Sequence, residues 1–244
     1  MSFWWIIAAA CAFFVKGLCG FANTLVFTSI MSFTVDNVNI SPVEIVLTYP
    51  SNLLLVIKER KYIKPKVVLP LCALVLAGCV PGILLLKNVD TGAIKILFGI
   101  AIILIGIEML LREFKTNKGA EPKKQSKIIL LGIGLLSGIL SGLYGIGALL
   151  SAYISRVTKD IHEFKANICT VFFVEGTFRI IMYAIIGGVL TVDAAKQALL
   201  LYPVMLISML LGIFSGKFLN EKTVKKLVII LLIISGVALI INSL

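Results

Sequence analysis

Apolar residues form eight long runs along this chain, and short stretches between them hold most of the charged residues. The runs cover approximately 3–33, 42–57, 67–86, 92–111, 127–155, 164–187, 194–216 and 223–242. A helix needs about 20 consecutive apolar residues to cross the hydrocarbon core of a bilayer, which is about 30 Å thick. The pattern therefore predicts an all-α integral membrane protein.

The first and fifth runs differ from the others, because each is close to 30 residues long and contains a glycine cluster near its middle. The clusters are Lys16-Gly-Leu-Cys-Gly-Phe-Ala-Asn23 and Ser137-Gly-Ile-Leu-Ser-Gly-Leu-Tyr-Gly-Ile-Gly147. A straight helix of that length would measure about 45 Å, and each interior glycine costs about 1 kcal/mol relative to alanine. We expect each run to break at its glycines into a re-entrant hairpin. Strong tilt of an unbroken helix is the alternative.

The two halves of the chain repeat one another in order. Gly17 and Gly20 align with Gly142 and Gly145 at one shared offset, and a charged stretch separates the halves. We predict a first membrane repeat over 1–116, a cytoplasmic linker over 117–126 and a second membrane repeat over 127–244, which together form one membrane domain. With three crossings after each hairpin, the second repeat is inverted relative to the first, as in many transporters.

The distribution of Lys and Arg favours the hairpin arrangement. With hairpins, 18 of the 23 basic residues fall on one side of the membrane, whereas eight plain crossings would divide the basic loops between both sides. Cytoplasmic loops are enriched in Lys and Arg. We therefore expect a multi-pass protein of the cytoplasmic membrane with its basic loops in the cytoplasm. The same enrichment accounts for the formal net charge of +11 without nucleic-acid binding.

Composition argues for transport rather than catalysis. The chain is 59% hydrophobic and 14% charged, against about 25% charged residues in soluble domains. The sequence contains no nucleophile–base pair, no phosphate-binding loop and no Cys-x-x-Cys motif, so we expect no enzymatic activity, no cofactor and no metal site. The predicted partners are a small anionic substrate and the lipid bilayer, and a homo-oligomer is left open.

Each proposed break would expose backbone groups inside the membrane, where lipid cannot satisfy them. The second half-helix of each hairpin would direct free N–H groups and about half a positive charge towards the midplane. Lys16 would add a charge to this anion site, since a lysine at that depth costs at least about 2.5 kcal/mol and is a functional candidate. The alternatives for Lys16 are snorkelling to the interface or a structural ion pair with Glu175.

Arg179 and Glu175 stand four residues apart in the sixth run. They form either a helix-internal ion pair or an anion-binding arginine with an orienting carboxylate. Glu175 is predicted to be the only acidic side chain deep in a run, which makes it the candidate for proton coupling. The neutral candidates have interhelical hydrogen bonds or packing as their alternative role. The predicted substrate-binding residues are Lys16, Gly17, Cys19, Gly20, Asn23, Asn52, Ser141, Gly142, Gly145, Gly147 and Arg179.

The glycine clusters resemble those of the TauE/SafE family of membrane permeases. The basic turn Lys58–Lys64, Arg179 followed by Tyr183, and the two near-equal halves are also similar to that family. The resemblance implies export of sulfite or a small organosulfonate. Two alternatives remain at this point. One is an importer or channel for another sulfur oxyanion such as thiosulfate, with Cys19 contacting sulfur. The other is a membrane interaction subunit whose glycines serve only packing.

Overall fold

A computed structural model describes residues 3–31, 34–35, 37–88, 127–145, 147–186, 190–216 and 218, with single positions within 96–111 and 223–241. The regular structure of these residues is helical. The predicted linker 117–126 lies outside the described residues. The helices are α1 (Phe3–Cys19), α2 (Asn23–Met31), α3 (Asn37–Glu59), a 3-10 turn (Arg60–Tyr62), α4 (Pro65–Asn88), α5 (Lys127–Tyr144), α6 (Ala148–Val157), α7 (Ile161–Ile186) and α8 (Val192–Ser215).

The first and fifth runs are broken at their glycine clusters, between α1 and α2 and between α5 and α6. Gly20 has φ +85° and Gly145 has φ +69°, in the left-handed region that glycine enters without the steric cost of a Cβ atom. The N–H of Gly20 donates to the Lys16 carbonyl and the N–H of Gly145 to the Ser141 carbonyl, both at 2.7 Å. The two helices therefore end in the same way, at positions that share the predicted offset.

Four helical stretches are long and apolar enough to span a bilayer among the residues described: Asn39–Tyr62, Pro65–Leu85, Ile161–Ile185 and Val192–Ser215. Large apolar side chains such as Leu69, Ile185 and Leu199 are more than two-thirds exposed on them, as expected for surfaces that face lipid. The broken runs contribute shorter apolar helices. The chain is thus a helical membrane protein.

The halves of the chain pack against each other through crossed helix pairs. Helix α1 packs on α8, and α5 packs on α4. A Cβ atom added to Gly142 would lie 2.6 Å from the Cys79 carbonyl oxygen and 2.9 Å from the Ile83 nitrogen of α4. A Cβ atom added to Gly17 would lie even closer to the Met209 carbonyl oxygen of α8. Small residues at these crossings allow the close backbone approach that is typical of membrane helices.

The end of α3 and the beginning of α7 lie side by side. Glu59 Oε2 is 2.9 Å from His162 Nδ1, and Lys64 Nζ is 2.7 Å from Glu163 Oε1. The Tyr62 ring stacks on His162 with 5.2 Å between ring centroids. The loops that follow α3 and precede α7 therefore meet at one end of the molecule.

Candidate functional site

A cavity opens where the two helix breaks meet. Residues 21–25 line it from the first break and the start of α2, and Gly145 and Gly147 line it from the second. Helices α3 and α7 contribute Glu44, Thr48, Asn52, Glu175 and Arg179, with Ile45 and Phe172 as apolar lining.

Both short helices begin at this cavity. The first hydrogen bond along α2 joins the Val26 N–H to the Ala22 carbonyl, and in α6 the Ser151 N–H bonds the Gly147 carbonyl. The N–H groups that precede these donors have no intrahelical acceptor, as at every helix N-terminus. Gly147 precedes α6 and has no side chain to cap them. The two helices therefore direct the positive ends of their dipoles at one space.

Lys16 is fully buried at the edge of this site, in the last turn of α1. Its Nζ donates to Asn52 Oδ1 at 2.7 Å and to Asn23 Oδ1 at 3.1 Å. These contacts place the ammonium against two amides rather than against Glu175, and they hold α1, α2 and α3 together. The Asn52 Nδ2 atom is buried without a hydrogen-bond partner in the part of the chain that the structure describes.

Glu44 accepts several hydrogen bonds in the site, and it is buried with 1% of its surface exposed. Its Oε1 accepts from Thr24 Oγ1 at 2.5 Å, from Asn23 Nδ2 at 3.0 Å and from the Thr48 hydroxyl. Its Oε2 lies 3.8 Å from Arg179 Nη2. The prediction that Glu175 is the only acidic side chain deep in a run is therefore wrong.

A sequence signal for Glu44 does exist. Glu44, Thr48 and Asn52 stand at intervals of four residues, so all three face the same side of α3. A polar stripe of this kind within an otherwise apolar helix indicates a buried polar site.

Arg179 connects α7 to the cavity and is almost fully buried. Its Nη1 lies 3.5 Å from Glu175 Oε1, and its Nη2 donates to Ser41 Oγ at 3.1 Å. The Ser41 hydroxyl lies 2.9 Å from the Tyr183 hydroxyl, and the guanidinium lies 5.5 Å from the centre of the Tyr183 ring. The Arg179 Nε atom has no hydrogen-bond partner among the described residues. Ser41 and Tyr183 position this arginine, and the sequence interpretation did not include Ser41.

The charged side chains that the structure brings together here are Lys16, Glu44, Glu175 and Arg179. Buried charges inside a membrane protein are tolerated when they are paired or hydrogen-bonded. Two cations and two carboxylates balance one another formally, and the N-termini of α2 and α6 add partial positive charge to the site.

The predicted substrate-binding residues fall into three groups by position. Asn23, Asn52, Gly145, Gly147 and Arg179 line the cavity, as does the proton-coupling candidate Glu175. Lys16 and Ser141 do not line the cavity but contact residues that do. Lys16 hydrogen-bonds the two asparagines, and the Ser141 hydroxyl hydrogen-bonds the Glu175 carboxylate. The remaining four are away from the lining: Gly17 packs on α8, Gly142 packs on α4, Gly20 packs against the Lys165 side chain, and Cys19 is buried near Lys165.

Metal ligation has no support in the described part of the chain, where no group of three or more His, Cys, Asp or Glu side chains comes together. The cavity offers backbone N–H groups, a guanidinium and amides, which are donors for an oxyanion, beside the carboxylates of Glu44 and Glu175.

Comparison with known proteins gives one family match. The family model described as sulfite exporter TauE/SafE matches residues 5–239, which is nearly the whole chain. Neither the curated proteins nor the solved structures include a significant match.

Proposed function

Because the chain belongs to the TauE/SafE family, whose members are membrane transporters for sulfur anions, we propose that it moves a small sulfur oxyanion through the cavity between its helix breaks. The proposed substrate is sulfite or a small organosulfonate, and the proposed direction is export across the cytoplasmic membrane. Sulfite and the direction follow the family description, and the organosulfonate follows the sequence resemblance. One observation supports the location of the site most strongly, namely that the N-termini of α2 and α6 line the same cavity.

The anion would accept hydrogen bonds from buried donors that lack another acceptor. Arg179 Nε and Asn52 Nδ2 are buried without acceptors among the described residues, and leaving such a group unsatisfied costs about 1–3 kcal/mol. A sulfur oxyanion would satisfy both, together with the first-turn N–H groups of α2 and α6. Gly145, which faces Arg179 Nη1, would let the anion approach this backbone closely.

We propose further that the breaks are re-entrant hairpins and that the two repeats are inverted. The contact of Glu59 with His162 and of Lys64 with Glu163 supports this topology, because eight plain crossings would put those two loops on opposite sides of the membrane. The loops carry basic residues, so the positive-inside rule assigns them to the cytoplasm.

Reconstitution in liposomes tests the proposed function directly. Purified protein is reconstituted into vesicles that are then loaded with sulfite, thiosulfate or taurine, and efflux is followed. Loaded vesicles without protein are the control. We expect sulfite or taurine efflux that is lost in Arg179→Gln. Thiosulfate flux alone would assign the alternative substrate. Absence of flux for every anion, in protein that retains its helical content, would favour a non-transporting interaction subunit.

A further inference from the structure

We propose that Phe172 sets the size limit of the transported anion, because its ring fills the space that the carbon chain of a longer sulfonate would need. The inference rests on the proposed function and identifies the side chain that determines which sulfur anions pass. The sequence interpretation did not include Phe172 among the substrate-binding residues.

The two glycines that line the cavity from the second break have different surroundings. A Cβ atom added to Gly145 would lie 2.8 Å from Arg179 Nη1 and 3.2 Å from Glu44 Oε2. A Cβ atom added to Gly147 would lie 2.1 Å from Phe172 Cζ and 2.2 Å from Phe172 Cε1. The second break therefore has a charged side at Gly145 and an aromatic side at Gly147.

Helix α7 shows the same division along one of its faces. Phe172, Glu175 and Arg179 all line the cavity, and their intervals of three and four residues place them on one face of the helix. The seven positions from Phe172 to Arg179 correspond to about 10 Å along the helix axis. An anion held at Arg179 would therefore meet the Phe172 ring with the end of any carbon chain that extends along this face.

Apolar side chains continue the wall that Phe172 forms. Ile45 of α3 lines the cavity, and its Cδ1 atom would lie 3.4 Å from a Cβ atom added to Gly176, one turn after Phe172 on α7. Phe21 and Leu25 are further apolar residues of the lining. Charged donors beside an apolar wall suit an anion with a short carbon chain, because burial of each methylene group is favourable.

Phe172 is the limiting part of this wall because its ring cannot move towards α6. The edge of the ring already contacts the backbone at Gly147, which precedes the first residue of α6. A chain long enough to press on the ring would overpack the site, and overpacking is unfavourable. We therefore expect sulfite and the shortest sulfonates to be accepted and longer sulfonates to be rejected.

The test is isothermal titration of purified protein with sulfite and with methanesulfonate, propanesulfonate and pentanesulfonate. The three sulfonates carry the same single charge, so the ratios of their Kd values report the carbon chain alone. We expect the parent Kd to rise at least about tenfold from methanesulfonate to propanesulfonate, as overpacking predicts. In Phe172→Ala the Kd should instead fall about fourfold for each added methylene group, as burial of that group predicts, and the Kd for sulfite should stay close to that of the parent.

Phe173→Ala is the matched control, because it removes the neighbouring aromatic ring of α7. Phe173 stacks on Tyr49 with 4.9 Å between ring centroids and lies outside the described lining of the cavity. This variant should keep the order of Kd values that the parent shows. The same chain-length profile in the parent and in Phe172→Ala would overturn the proposal, and so would an equal change in Phe173→Ala. If the parent binds neither sulfite nor any sulfonate, the proposed function fails instead, so the two failures are distinguishable.

A second variant protects the test if Phe172→Ala does not fold. Phe172→Leu keeps an apolar side chain beside Gly147 but removes the ring. It should bind propanesulfonate more tightly than the parent does, with little change for sulfite. An unchanged ratio of the two Kd values in Phe172→Leu would contradict a size limit at this position.

The liposome assay extends the test from binding to transport. The rate of propanesulfonate efflux relative to sulfite efflux should be higher with Phe172→Ala than with the parent protein. Tighter binding of propanesulfonate without faster efflux would refute the proposal that Phe172 limits which anions pass.

Discussion

The substitution Gly145→Ala, which adds one methyl group, distinguishes an anion-binding role of this glycine from a packing role. In Gly145→Ala the new carbon would lie 2.8 Å from both Arg179 Nη1 and Thr24 Cγ2, whereas comfortable contacts are about 3.5–4.0 Å. The backbone at φ +69° adds a cost of about 1–2 kcal/mol for any residue other than glycine. We expect a modest loss of stability and displacement of Arg179 from the cavity.

The loss of binding can be estimated from the contacts. One hydrogen bond from a charged donor contributes about 1.5–3 kcal/mol, so its loss should weaken sulfite binding by about 10- to 150-fold. At a sulfite concentration of 100 times the parent Kd, binding stabilises the parent by about 2.7 kcal/mol. With affinity 100-fold weaker, the same concentration would contribute only about 0.4 kcal/mol.

Two other glycine variants serve as matched controls. Gly142→Ala would press a methyl against the α4 backbone at Cys79, so it should destabilise the protein by about 1–3 kcal/mol as overpacking does, and sulfite should still raise its Tm. A Cβ atom on Gly132 meets nothing within 4 Å, and Gly132→Ala should melt at or slightly above the parent temperature.

Thermal unfolding followed by tryptophan fluorescence provides the assay. Trp5 is buried with its ring 5.8 Å from Phe27, so its emission reports loss of packing. A stabilisation of 2.7 kcal/mol corresponds to a rise of about 5–11 °C in a chain of this size. We expect this rise in the parent and in the two controls and its near absence in Gly145→Ala. A low-melting Gly145→Ala that still gains the full rise would refute the role of the break in anion binding.

Three further predictions address the charges and the topology. Arg179→Lys should weaken sulfite binding at least tenfold in the same titration, because a point charge cannot replace a planar donor fork; unchanged affinity would mean that the arginine only balances charge. Lys16→Met should lower the Tm without ligand, since two buried asparagines lose their donor, and an unchanged Tm would count against this role. In a cysteine-free background, single cysteines at Lys61 and Lys159 should react with a membrane-impermeant reagent from one side and a cysteine at Asp193 from the other; labelling of 61 and 159 from opposite sides would refute the hairpins.

The positions of the helix breaks could be predicted from the sequence because they depend on local properties. A run that is too long for one straight crossing must tilt or break, and clustered glycines favour a break. The structure shows these breaks at Gly20 and Gly145. The involvement of Asn52, Glu175 and Arg179 in one cluster was accessible by similar reasoning, since polar groups inside an apolar run must find partners.

The burial of Glu44 was missed, although its four-residue spacing from Thr48 and Asn52 gave a signal. This residue stands close to the beginning of an apolar run, where an acidic residue normally faces water at the membrane surface. Helix α3 begins at Asn37, however, so Glu44 lies two turns inside the helix. Its burial depends on α2 folding back across it through Asn23 and Thr24, which is a tertiary contact. The distinction between glycines that pack on a neighbouring backbone, such as Gly17, and glycines that face the polar groups of the cavity, such as Gly145, likewise depends on which helices meet.

The crossed pairing of α1 with α8 and of α4 with α5 has a consequence for how the chain is made. The glycine face of α1 around Gly17 finds its partner at Met209, which the ribosome synthesises nearly the whole chain later. Until then the nascent first half exposes a surface that matches a helix not yet in the membrane. The α1–α8 contact can therefore form only after α8 has been inserted. A chain that stops before α8 would leave the glycine face of α1 without its packing partner.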